Sequence, residues 1–174
     1  MDNSIPKKEM PNNPVPPKNP KKLGKRIFMG LVIILIVLQF FQSDKDNTEV
    51  FSSQNITTVV PVSDTVMALL RRACYDCHSN NTNYPWYTNI QPIGWWLKHH
   101  IEEGKQHLNF DAFAQYEKDK MLDKLKDIKK SQLQGWMPLS SYTWIHKNAI
   151  LNDAQKKLIV DWADSSSAII SERK

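Results

Sequence analysis

Cysteine is scarce in this chain: 174 residues hold two, Cys74 and Cys77. A structural zinc site of the usual kind draws on cysteines from distant parts of a chain, and there are no others here to supply them. Alternating apolar and polar runs longer than a few residues are absent, which argues against strands, and no internal repeat is present. No nucleophile–base pair and no paired carboxylates stand near the cysteines, so the sequence offers no obvious catalytic machinery. A basic domain face is missing too. The isoelectric point of about 9.1 comes from the N-terminus, where residues 1–26 hold seven Lys and Arg against Asp2 and Glu9, leaving residues 27–174 with 16 of each sign. A formally neutral domain gives no reason to expect nucleic acid as a partner.

The two cysteines are set in Cys74-Tyr75-Asp76-Cys77-His78. A C-x-x-C pair followed at once by histidine has the form of a covalent attachment site for c-type haem. Each thiol adds across one vinyl group, and the next residue brings an imidazole to the iron. A two-cysteine, one-histidine zinc site and a redox-active dithiol are the alternatives. The second wants a βαβ setting, whereas the flanking pattern here is helical.

Residues 1–26 form a basic cytoplasmic tail, expected to be disordered; residues 1–20 carry six of the ten prolines and almost nothing apolar. Residues 27–42 follow as a transmembrane anchor. Within them Ile27–Phe41 has no charge and one polar side chain, Gln39. Fifteen helical residues cover only about 22 Å of a hydrocarbon core of roughly 30 Å, with Leu23 and snorkelling Lys and Arg stems available to extend it. A cleaved signal peptide is the alternative, but no small-x-small cleavage site follows the apolar run. In both cases the positive-inside rule sends residues 43–174 across the membrane, which makes the expected location the cytoplasmic (inner) membrane, single-pass, with the C-terminal part in the periplasm.

Residues 43–62 are expected to be a linker; Asn55-Ile56-Thr57 matches a glycosylation triplet too short to carry weight. A folded domain is expected over residues 63–168, with 169–174 as a C-terminal tail. Ser63 or Asp64 caps a first helix whose apolar stripe, Val66, Leu69 or Leu70 and Ala73, runs into Cys77. Residues 94–106 read as a helix with Gly104 a possible end, residues 111–131 as the longest helix, and Asn152 with Gln155 as the capped start of a last one. The domain is all-α.

Cys74 to Tyr87 resembles the start of the bacterial haem-binding domain family, a group of small exported c-type cytochrome-like domains. Ile90-Gln91-Pro92, Glu102-Glu103-Gly104 with Leu108-Asn109-Phe110, Met137-Pro138-Leu139 with Tyr142 and His146, and the helix around Trp162 are similar to later stretches of it. The resemblance covers residues 63–165. It implies haem c, with its iron, held by Cys74, Cys77 and His78 in a cytochrome c-like helical fold. The layout also resembles class I cytochromes c, in which a loop methionine is the sixth ligand. Met137, 59 residues after His78, is that candidate, while His99, His100, His107, His146 or an open site are the alternatives. By the same analogy the Pro92 carbonyl, or that of Pro85, would accept from the His78 ring. Tyr84, Trp86, Tyr87, Trp95, Trp96 and Trp136 would wall the cofactor.

The expected function is one-electron transfer between redox partner proteins by a membrane-anchored mono-haem domain. A haem-based sensor or small peroxidase with an open distal side is the second possibility. The third is an interaction module in which the two cysteines form a disulfide.

Overall fold

A computed structural model describes residues 20–45, 47 and 52–173. The expectation of a disordered tail falls, for residues 1–19, outside the described residues. The chain forms two units, Met1–Phe40 and Phe41–Lys174.

In the first unit helix α1 spans Pro20–Leu38. Proline suits a first helical position, where its missing N–H costs no hydrogen bond. Lys22, Lys25 and Arg26 then precede the apolar stretch, whose side chains, among them Ile27, Phe28, Leu31, Ile34 and Leu35, are exposed on every face. The helix starts inside the expected tail and stops before the end of the expected anchor. Its uncharged part, Ile27–Leu38, rises only about 18 Å. No helix among the described residues is long and apolar enough to cross a membrane, so the expected transmembrane helix over residues 27–42 is not found: basic residues occupy the first turns of α1 and the helix ends at Leu38.

The second unit is all-α, with no strand among its described residues. Its helices are α2 (Asp64–Ala73), the one-turn α3 (Tyr75–His78), α4 (Ile93–His107), α5 (Lys118–Gln134), α6 (Ser140–Ile145) and α7 (Asp153–Glu172). Short 3-10 turns at Ile56–Thr58, Trp86–Asn89, Phe110–Gln115 and Lys147–Ala149 connect them. α5 and α7 pair along their lengths, α2 packs on α7, and α3 packs on α4.

Local signals set the ends of these helices. Ser63 Oγ accepts from the Val66 N–H at the start of α2, and α7 opens with the Asn152–Gln155 capping box. Gly135, at φ +70°, ends α5 in the left-handed region that glycine tolerates best.

Val66, Leu69, Leu70 and Ala73 of α2 meet Leu125 and Ile128 of α5 and Ile159, Trp162, Ala163 and Ile170 of α7 in one core. Phe110 and Phe113 are fully buried in it, each contributing about 1.5–3 kcal/mol of apolar burial. They sit in the turn before α5, which is why the long helix begins at Lys118 and not at Asp111.

Residues 52–62 differ from their reading as linker. Asn55, Ile56, Val59 and Val60 are buried in the core, and Trp162 Nε1 donates to the Pro61 carbonyl at 3.1 Å. Nor is the C-terminal stretch a free tail: α7 runs to Glu172 with Ile170 buried, and the Arg173 guanidinium bonds the Val59 carbonyl.

Candidate functional site

Cys74 closes α2 and opens α3, where the backbone turns at φ −129°. The Cys77 and His78 N–H groups both donate to the Cys74 carbonyl, at 3.1 and 3.0 Å. This single turn puts positions i, i+3 and i+4 on one face, so the motif spacing gathers two thiols and an imidazole side by side.

α4 crosses behind that turn. Gly104 is not the end of the helix, which continues to His107; it is the point of closest approach. A Cβ built on Gly104 would lie 2.6 Å from the Cys77 carbonyl oxygen. The close crossing brings the last carbonyls of α4 to His78, whose Nδ1 is 2.9 Å from Gly104 O and 3.0 Å from Leu108 O. Neither Pro92 nor Pro85 takes the role expected of it. With Nδ1–H donating to these carbonyls, Nε2 carries the lone pair. Burial, opposed by the two carbonyls, lowers the His78 pKa, so the ring is held neutral, the form a metal requires.

The loop after His78 is fixed by a buried acid that the sequence did not single out. Asp111 accepts from Asn55 Nδ2 at 2.7 Å, from the Asn80 N–H at 2.8 Å and from Asn81 Nδ2 at 3.0 Å. Ser79 Oγ donates back to the Tyr75 carbonyl at 2.8 Å. Asn55, the would-be glycosylation acceptor, is therefore an internal strut.

Cys74, Cys77 and His78 open onto a cavity of about 570 Å³, within the range of cofactor sites. Its mostly apolar walls come from α3, the C-terminal half of α4, the Lys124–Ser131 face of α5, the segment Trp136–Leu139, and Tyr142. Met137 thus lines the same cavity as the cysteines and His78. So do His100 and His107. His99 instead faces Glu103 at 3.3 Å on the exposed side of α4, and His146 Nε2 lies 2.7 Å from Tyr87 Oη, away from the cavity lining.

Of the aromatics expected to wall the cofactor, Trp136 does so. Trp86, Trp95 and Trp96 are exposed, and Trp95 Nε1 donates to the Phe41 carbonyl at 2.8 Å. Tyr142 is the aromatic ring that takes a place in the wall. The α5 wall was also missed, because its Lys and Asp residues look like an ordinary solvated helix face.

The residues present suit a flat, largely apolar cofactor with a metal at its centre. Both cysteines are free thiols. Burial and their mutual repulsion push Cys74 up to about 12, and burial followed by Asp76 pushes Cys77 up to about 11. A redox-active dithiol needs the opposite shift. Among the described residues no three His, Cys, Asp or Glu side chains converge as a bare metal cage would. The cavity is of the class that encloses a cofactor and offers it ligands from one edge.

The model of the haem-binding domain family matches residues 33–165, and the chain belongs to that family. Its cofactor is haem. The match extends upstream of Ser63, in keeping with the buried residues 55–60. No curated protein and no solved structure matches the chain.

Proposed function

We propose that Cys74 and Cys77 hold haem c covalently, that His78 is its proximal ligand and Met137 its sixth, and that the domain transfers single electrons. The observation that carries this is the shared cavity: two thiols and a neutral imidazole on one helical turn, with a thioether lining the same space. The haem supplies an iron that cycles between ferric and ferrous states. The residues of this chain orient it and keep water from it. Gly104 and Leu108 hold the His78 ring, the loop struts of Asp111 keep the turn in place, and the α5 wall of Lys124, Asp127, Ile128 and Ser131 with residues 136–139 would cover the cofactor. Methionine–histidine ligation favours the ferrous state and suits an electron carrier.

The visible spectrum of the purified full chain, oxidised, reduced and with CO, tests this. A weak far-red band in the oxidised form and slow CO binding support Met137. Its absence with rapid CO binding supports the sensor or peroxidase reading, which His100 and His107 at the cavity edge would serve.

Residues 27–42 we read as the membrane attachment. α1 is apolar on all sides over Ile27–Leu38, a pattern that water does not favour for an isolated helix. The basic residues ahead of it suit a cytoplasmic face, and stems of Lys and Arg with local thinning make up the length. The domain would then face the periplasm, where its redox partners would be. Fractionation checks this: carbonate-resistant membrane association supports it, and release by carbonate overturns it.

A further inference from the structure

Met137 belongs to a segment that little else secures. In α6, which follows it, no side chain is fully buried and Tyr142 is only half-buried, while Trp144 and Ile145 are exposed. Two polar ties compensate. Tyr142 Oη donates to Asp76 Oδ2 at 2.6 Å, while the other Asp76 oxygen accepts the Asn83 N–H at 3.1 Å. The Tyr142 ring stacks on His146 with centroids 4.3 Å apart and planes 10° from parallel. His146 in turn meets Tyr87 Oη at 2.7 Å. Asp76 is one of the two variable residues inside the Cys-x-x-Cys-His motif, so the first tie runs straight from α6 to the turn that carries the cysteines.

We propose that Asp76, Tyr142, His146 and Tyr87 form a clasp that holds residues 135–146 against the Cys74–His78 turn and so sets how firmly Met137 is presented to the haem. Tyr142 is a positioning residue; it binds no metal. Burial and the Asp76 carboxylate push its phenol far above the ordinary value, so the hydroxyl keeps its proton and remains a donor. Loss of a hydrogen bond to a carboxylate should change the opening of a thinly packed segment at least about tenfold. The clasp rests on the reading of Met137 as ligand, but its mechanical part does not need haem.

The test uses the full chain with Tyr142→Phe, which removes the hydroxyl and keeps the stacked ring. In the haem-free chain, amide hydrogen exchange over residues 139–146 should quicken about tenfold, with α5 and α7 unchanged. In the haem-loaded chain, added imidazole competes with Met137 for the ferric iron. Its affinity should rise by a similar factor in Tyr142→Phe at equal haem content, and Tyr142→Phe should add nothing in a Met137→Ala background. Unchanged exchange and unchanged imidazole affinity would overturn the clasp alone. An effect of Tyr142→Phe that persists without Met137 would overturn its positioning role. Imidazole bound as tightly by the wild type as by Met137→Ala would remove the ligand beneath the proposal, and the positioning role with it.

Discussion

Gly104 and Cys77 touch backbone to backbone: a Cβ on the glycine would stand 2.6 Å from the Cys77 carbonyl oxygen and 3.2 Å from Cys77 Cβ. The nearest partner atom is a main-chain oxygen and cannot swing aside, so any larger residue at 104 must push α4 away from the Cys74–His78 turn. Gly104→Ala should cost about 1–3 kcal/mol, the range for overpacking, and should reduce the yield of haem-loaded protein. Gly30→Ala, where nothing lies within 4 Å, is the control and should leave denaturant unfolding of the domain unchanged.

Asp111 is the second point of leverage. Asp111→Ala strands three donors, of which Asn55 Nδ2 is fully buried. Each unmet buried donor costs about 1–3 kcal/mol, so chemical denaturation should show a loss of at least about 2 kcal/mol. The loop after His78 should become sensitive to protease, while substitution of the exposed Asp123 should do neither.

The thiols make the haem-free chain sensitive to alkali. Both folded pKa values, about 12 and about 11, lie above the ordinary 9.0. The fold therefore binds these protons more tightly than the unfolded chain does. That stabilisation is complete below pH 9 and disappears as pH rises towards 11–12. Thermal melting of the haem-free chain should fall across this window, and more steeply than that of Cys74→Ala/Cys77→Ala. Were haem attached at both sulfurs as proposed, the thioethers would have no proton to lose, so the haem-loaded chain, like the double variant, should lack this part of the alkaline decline.

Much of the site was legible because its signals are local. The spacing of Cys74, Cys77 and His78 follows from one helical turn, Ser63 and Asn152 cap the helices they precede, and the stripe on α2 points into the core. What was not legible depends on approach between distant segments. The carbonyls that hold His78 come from the end of α4, 26 and 30 residues on, and only the Gly104 crossing brings them there. Residues 55–60 look like linker because their apolar side chains are few: Ile56 lies in a 3-10 turn too short to show periodicity, and Val59 and Val60 follow it outside any helix. Trp86, Trp95 and Trp96 have the composition of a cofactor wall but face outward, since Thr88, Gln91 and Gly94 take the inward positions of that stretch. The haem-binding family was legible from the residues around the motif; the bounds of the apolar segment were not, since the helix runs Pro20–Leu38 rather than over residues 27–42.

The central claim is covalent haem at Cys74 and Cys77, and the most direct measurement is haem staining of the full chain after denaturing electrophoresis, following expression with a cytochrome c maturation system. The account predicts a stained band for the wild type and for Met137→Ala, and none for Cys74→Ala/Cys77→Ala. A blank wild-type lane, or a stained double variant, would contradict it.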